Sequence, residues 1–178
     1  MILGLASPTY AGVAPAEGGL AWLLERCGEY GLGALEASLP PEGGEDPAEV
    51  GRRARDQGVT WIGYWSDDWV SPEGGEAGLG ERAARALDRA VQGRVETVVI
   101  FGNGAAHNRF TREPPLVEQL RIIPEHLRTV AAAAAERDLQ LGLLPHLDYR
   151  GHEMVAAMAA VAHPALKMAF DTTNPFPV

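Results

Sequence analysis

The sequence contains one cysteine, Cys27, and one lysine, Lys167, among 15 basic residues. A single cysteine rules out an internal disulfide and a cysteine-based zinc site. The 24 acidic residues outnumber the basic ones and give a formal charge of −9, which disfavours nucleic acid or an anionic membrane as a partner. The chain shows no basic, apolar leader and no apolar run of about 18 residues. We therefore expect a cytoplasmic protein with no membrane partner.

What is present is a regular alternation of short apolar runs and amphipathic segments. The 178 residues suit one domain, residues 1–178. Strands are predicted at 1–7, 32–39, 59–65, 96–101, 139–144 and 166–170. Helices are predicted at 16–30, 46–57, 81–91, 116–138 and 152–162, with a loop at 74–80. Because each helical crossover returns the chain to the same edge of the sheet, the six strands predict a parallel sheet in an α/β fold.

Polar side chains follow most of the predicted strands, where parallel α/β proteins carry their functional groups. They are Glu36, Ser38, Ser66, Asp67, Asp68, Asn103, His107, Arg109, His146, Asp148, Tyr149, Asp171, Thr172, Thr173 and Asn174. Carboxylates and imidazoles along one rim suit a divalent cation and proton transfer to a polyol. Each residue taken singly also fits an exposed turn or a helix cap, because Asp and Asn are common in turns.

Two other functional patterns find little support. Gly102–Gly104 resembles the start of a dinucleotide-binding loop, but His107 stands where the third glycine is expected and the turn follows the fourth strand. A tight strand-to-helix turn is the better interpretation. Ser7 and Ser38 lack the glycine pattern of a nucleophile elbow, so serine hydrolase chemistry is not indicated.

The most specific pattern lies in the last forty residues. The segments LQLGLLPHLD (139–148) and LKMAFDTTNPF (166–176) resemble the ends of strands 5 and 6 in the xylose-isomerase-like TIM barrels. Many members end these strands in Glu-Asn-His-x-Asp and Asp-Thr-Gly-Asn. The residues that match are His146, Asp148, Asp171, Thr172 and Asn174. The resemblance implies a (β/α) TIM-barrel fold with six of its eight parallel strands in this chain.

This superfamily includes sugar phosphate isomerases and epimerases, hydroxypyruvate isomerase and endonuclease IV. The resemblance implies an isomerase or epimerase of a small carbohydrate, in which a divalent metal (Mn, Mg, Co or Zn) polarises adjacent oxygens while carboxylates move the proton. It assigns Asp171 to the metal and leaves the catalytic residues unassigned. Together with the rim positions it assigns substrate binding to Glu36, His107, His146, Asp148 and Asn174.

Two departures from the family pattern bear on the metal. Leu144 stands where the strand 5 glutamate of the family is expected, and residues 1–178 provide no counterpart of strands 7 and 8, which carry a further histidine and glutamate. We therefore expect metal affinity to be weak or absent. A non-catalytic carbohydrate-binding or structural relative remains the alternative function. A DNA repair enzyme like endonuclease IV is disfavoured, because strands 2 and 3 end without histidine.

The strand count also predicts something about assembly. Six strands of an eight-stranded barrel leave two edges with unpaired backbone groups. We expect these edges to be covered by self-association into a homo-oligomer, by a partner chain, or by C-terminal units of the intact protein.

Overall fold

The computed structural model describes residues 2–10, 12–101, 107–144 and 149–170. Within these ranges the strands are β1 (Gly4–Ala6), β2 (Ala34–Ser38), β3 (Thr60–Trp65), β4 (Thr97–Phe101), β5 (Gln140–Leu144) and β6 (Leu166–Met168). The helices are α1 (Ala14–Glu17), α2 (Gly19–Glu29), α3 (Pro47–Asp56), α4 (Gly75–Gln92), α5 (Leu116–Ala135) and α6 (Gly151–Val161), with a 3-10 turn at Ser7–Tyr10. The predicted α/β class and all six strands are confirmed.

The six strands form one parallel sheet in the order β1-β2-β3-β4-β5-β6, so that neighbours along the chain are neighbours in the sheet. In the described residues β1 and β6 do not pair with each other, and the sheet is an open section of a barrel. Apolar side chains close to these two edges are exposed: Ile2 by 70%, Leu3 by 64% and Phe170 by 81%. No helix in the described ranges is long and apolar enough to cross a membrane.

The two faces of the sheet differ in burial. Partners in register point to the same side, and successive residues of a strand alternate. The helix-facing side carries the buried residues Leu35, Ala37, Trp61, Val98, Ile100, Leu141 and Leu143. The opposite side, here called the inner face, carries Ala6, Glu36, Ser38, Ile62, Tyr64, Leu144 and Lys167, all half-buried or exposed. Between them on the inner face, Val99 and Gly142 are buried.

Helix α3 shows how local chemistry sets an element. The Asp46 side chain accepts a hydrogen bond from the Ala48 backbone N–H at 3.0 Å, and Pro47 occupies the first helical position. Gly58 follows the helix with φ of +69°, in the left-handed region that favours glycine. The predicted start and end of this helix are therefore confirmed within one residue.

Two predicted segments differ from the structure in kind and not only in their end residues. The helix predicted at 16–30 is two helices, α1 and α2, because Gly18 between them adopts φ of +118°. The loop predicted at 74–80 is mostly the first turns of α4, which begins at Gly75 and places Leu79 fully in the core. The glycines of this segment suggest a loop, but burial of Leu79 outweighs their low helix propensity.

Candidate functional site

Glu36 lies on the inner face of β2, in register with Ile62 of β3. Tyr64, two residues further along β3, lies on the same face. Both Glu36 and Tyr64 are half-buried. Burial, and then the nearby Glu36 carboxylate, raise the pKa of Tyr64 from 10.0 to about 12. Glu36 therefore lies within β2 and not after the strand, with its carboxylate on the inner face; its assignment to the substrate stays a prediction.

The best-defined polar contact on the rim joins the loops that follow β3 and β4. Nδ1 of His107 lies 2.8 Å from Oδ2 of Asp68, and each side chain is 20% exposed. The other Asp68 oxygen, Oδ1, accepts hydrogen bonds from the backbone N–H groups of Val70 at 2.9 Å and Ser71 at 3.0 Å. The carboxylate is thus held by its own loop and in turn holds the imidazole ring.

This contact orients the His107 ring, with Nδ1 toward Asp68. An ionised Asp68 favours the tautomer in which Nδ1 carries the proton and donates it to the carboxylate. The second ring nitrogen, Nε2, is then the basic one. An imidazole oriented in this way can accept a proton from a bound molecule and return it, with the resulting positive charge stabilised by Asp68.

Asp67, the neighbouring rim residue, faces a different partner. Its two carboxylate oxygens accept hydrogen bonds from Arg82 of α4, with Nε at 2.6 Å and Nη2 at 3.0 Å. The hydrogen bonds that Arg82 donates to the Asp67 carboxylate raise the pKa of Arg82. Arg82 also donates to the Glu73 carbonyl oxygen at 2.7 Å. Asp67 Oδ1 also accepts the Asp68 backbone N–H at 2.8 Å. Asp67 therefore anchors the β3 loop to α4 and contacts its neighbour Asp68 through the backbone.

A buried amide anchors the segment that carries His107. Gln119 of α5 is fully buried and donates from Nε2 to the carbonyl oxygens of Asn108 at 3.1 Å and Pro114 at 2.9 Å. Its Oε1 accepts a hydrogen bond from the Tyr149 hydroxyl at 2.9 Å. Sequence reasoning missed Gln119, although a polar residue within the apolar stripe of a helix is a usable signal.

An ion pair connects the loop after β4 to α6. Nη1 of Arg109 lies 2.8 Å from Oε2 of Glu153, and the two side chains are 12% and 10% exposed. The same Glu153 oxygen accepts the Arg150 backbone N–H at 2.6 Å. Glu153 was missed as well, although its place three residues after the helix cap is typical of a capping glutamate.

Several predicted site residues lie outside the described residues. They are His146, Asp148, Asp171 and Asn174, together with Asn103, Thr172 and Thr173. Their assignment to the substrate, and of Asp171 to a metal, stays a prediction. Leu144, which directly precedes the first of these segments, is half-buried on the inner face.

The described residues do not fit a metal centre. Over the described ranges, no group of three or more His, Cys, Asp and Glu side chains lies close enough to hold an ion. Leu144 has an apolar side chain where the resemblance implies a carboxylate. Asp68 and His107 have side chains that could ligate a metal, but they are hydrogen-bonded to each other.

No protein family model matches the chain. No curated protein matches it either. Three solved structures are similar over nearly the whole chain. D-allulose 3-epimerase from Methylomonas sp. in complex with D-allulose has a TM-score of 0.75 and 14% identity, and the match covers 94% of this chain and 61% of that one. AP endonuclease, family 2 from Brucella melitensis has a TM-score of 0.72 and 16% identity, and the match covers 97% of this chain and 69% of that one. A xylose isomerase-like TIM barrel/4-hydroxyphenylpyruvate dioxygenase fusion protein has a TM-score of 0.69 and 18% identity, and the match covers 94% of this chain and 26% of that one.

The chain has the fold of the xylose isomerase-like TIM barrels. The resemblance predicted from its last forty residues is confirmed at the level of the fold. At identities of 14–18%, the feature that the chain shares with these structures is the fold. The chain spans about three fifths of the length of the epimerase that it matches, 61%.

Proposed function

We propose that this chain supplies the sugar-binding and proton-transferring surface of a sugar isomerase or epimerase. The observation that carries the proposal is the Asp68–His107 pair, which lies at the carboxyl ends of β3 and β4. In barrels of this type the functional groups lie at that end of the strands. Similarity in fold to an epimerase that binds D-allulose adds support.

The chemistry of this class needs a group that removes a proton from a carbon next to a carbonyl and returns it. His107, oriented through Nδ1 by Asp68, supplies such a group at Nε2. Glu36 on the inner face accepts hydrogen bonds from sugar hydroxyls. His146, Asp148 and Asn174 complete the set of substrate-binding residues in this proposal.

A second candidate function rests on Leu144. A leucine on the inner face, directly before the segment predicted to bind substrate, adds an apolar contact and no charge. The loss of this charge favours a protein that binds a small carbohydrate without catalysing a reaction on it. The two functions differ in a measurable way, because only the first exchanges a carbon-bound proton of the sugar.

The experiment is solvent deuterium incorporation at C3 of D-allulose, with and without Mn²⁺, followed by NMR. Wild-type chain should incorporate deuterium faster than buffer alone, and His107→Gln should reduce the rate to that of buffer. His152→Gln is the matched control, because His152 is exposed on α6 and should leave the rate unchanged. Binding of D-allulose without exchange would favour the second function, and absence of both would contradict the two proposals.

A further inference from the structure

A cleft of about 520 Å³ lies on the outer side of the sheet, between α4 and the loop that follows β2. Its apolar wall includes Leu39, Trp65 and Ala86. The indole ring of Trp65 packs edge-to-face against Trp69, with ring centroids 5.6 Å apart, and this contact fixes its orientation. The cleft is separate from the inner face on which the proposed sugar site lies, and its volume is within the range of about 300–1,000 Å³ typical of small-molecule sites.

Three arginines of α4 line this cleft: Arg82, Arg85 and Arg89. Their spacing of three and four residues places them along one side of the helix. Arg82 is neutralised by Asp67. Arg89 is held by backbone oxygens, since Nε donates to the Pro40 carbonyl and Nη2 to the Glu45 carbonyl at 3.4 Å.

Two of these guanidinium groups keep charge available for a ligand. Among the described residues, the nearest acidic partner of Arg85 is Glu81 at 3.9 Å, an exposed pair with little attraction in water. Over the same ranges Arg89 makes no ion pair within 4.0 Å, so its positive charge is oriented by carbonyl dipoles but not cancelled.

The acidic residues that line the cleft offset this charge only in part. The Asp88 carboxylate is occupied by Nε of Arg137 at 2.8 Å. Glu42, on the exposed loop opposite α4, is the remaining carboxylate of the lining. A local excess of positive charge on a chain of formal charge −9, beside an oriented indole ring, is chemistry suited to an anion with a flat ring.

We propose that this cleft binds a nucleotide-sized organic phosphate, with its planar ring against Trp65 and its phosphate on Arg85 and Arg89. The guanidinium forks supply paired N–H donors to phosphate oxygens, and the indole supplies stacking area. An inorganic phosphate would use only the first of these contacts, and a nucleoside only the second. Both should therefore bind more weakly than a nucleotide.

The test is calorimetric titration of the purified chain with AMP, adenosine and inorganic phosphate, with tryptophan fluorescence as a second readout. We expect AMP to bind more tightly than either fragment and to change the fluorescence in wild type but not in Trp65→Phe. Arg85→Gln should weaken AMP binding by at least about threefold, because a charged hydrogen-bond partner is lost. Arg85 is 58% exposed in its side chain, so the fold should survive this change.

Arg52→Gln on α3 is the matched control, since Arg52 is also exposed and pairs with Glu49 and Asp56 away from the cleft. It should leave AMP affinity unchanged. Equal losses in Arg52→Gln and Arg85→Gln would show that AMP is attracted by general charge and would overturn the proposal. Absence of AMP binding at millimolar concentration, or preferential binding of an acidic peptide, would overturn it too.

Discussion

The two sides of the sheet are built from different residues. On the helix-facing side the strands present large apolar groups such as Leu35, Ile100 and Leu141, each fully buried under the helices. On the inner face the same strands present Glu36, Tyr64 and other groups that keep contact with solvent. The difference shows that, along β2 and β3, the residues facing the helices hold the fold, whereas the alternate residues keep contact with solvent on the side of the proposed sugar site.

The sheet is open in its described part, and the helices pack on one side of it. The buried apolar cluster of the described residues lies mainly between these helices and the sheet. The inner face contributes less to stability, so polar and small residues are tolerated there.

The strongest test uses two adjacent leucines of β5. Leu143 points to the helices and is 1% exposed, whereas Leu144 is half-buried on the inner face. Leu143→Ala should lower the free energy of unfolding by about 2–5 kcal/mol, the usual cost of a buried leucine. Leu144→Ala should cost less than about 1.5 kcal/mol. Urea unfolding of both variants measures the difference, and equal losses would contradict the contrast between the faces.

The helix layer can be tested at the crossing of α3 and α4. A side chain on Gly51 would overlap the carbonyl oxygen of Gly93, so the helices approach closely there. Gly51→Ala should destabilise by about 1–3 kcal/mol, because the backbone must move. Gly80→Ala, where the new methyl would meet only Thr129 at 3.7 Å, should raise stability by about 0.5–1 kcal/mol through helix propensity. Thermal unfolding should show a lower melting temperature for Gly51→Ala and a higher one for Gly80→Ala. An unchanged melting temperature for Gly51→Ala would contradict the close contact between Gly51 and Gly93.

At the rim, Asp68→Asn should act on His107 more than on the fold. Asparagine keeps an oxygen for the Val70 and Ser71 N–H groups but removes the negative charge opposite Nδ1. We expect a stability loss of about 1 kcal/mol or less and a mixed population of imidazole tautomers in place of one. Nitrogen-15 chemical shifts of the His107 ring report this directly. An unchanged tautomer would mean that Asp68 does not orient the ring.

On the inner face, the pKa of Tyr64 provides a probe of Glu36. Burial is the larger cause of its rise to about 12 and the Glu36 charge is the smaller, so Glu36→Gln should lower the pKa only part of the way toward 10.0. A phenol whose pKa is raised by folding stabilises the native state below pH 10 and loses that contribution as the pH rises through 12. Tyrosinate absorbance, with Tyr64→Phe as the blank, follows the titration. A full return to the ordinary value would make Glu36 the dominant cause.

The smallest effect is expected for Leu144→Glu in this chain. One added carboxylate does not make a metal site by itself, because a divalent cation needs several oxygen or nitrogen ligands. Melting curves with and without Mn²⁺ should therefore remain superimposable for this variant. A large shift would show that neighbouring ligands are already in place.

Much of the fold can be read from the sequence because strands and helices here follow simple periodicities. Thr60–Trp65 alternates in burial and is rich in β-formers, and α3 has its Asp46 cap and Pro47 in the expected places. The wrong predictions concern glycines, because a glycine can either end a helix or lie within one. Gly18 breaks a helix, whereas the glycines after Gly74 enter one, and only packing of Leu79 distinguishes the two cases.

The candidate site is less predictable, because contacts across loops leave no periodic trace. Asp68 and His107 are 39 positions apart, and only the shared end of β3 and β4 brings them together. Asp67 is as good a rim residue as Asp68 by sequence, yet Arg82 on α4 binds it. Gln119 holds rim residues through hydrogen bonds to Asn108 and Tyr149, but it lies within a helix and not in a loop after a strand.

The proposed sugar site is tested most directly by an amide NMR titration of the chain with D-allulose. Shifts should cluster at Glu36, Tyr64, Asp68 and His107, on the inner face and the rim, with little change at Leu35, Ile100 and Leu143 on the helix-facing side. Shifts confined to the helix-facing side or to the arginine-lined cleft, or no shifts at a sugar concentration that saturates a weak site, would contradict it.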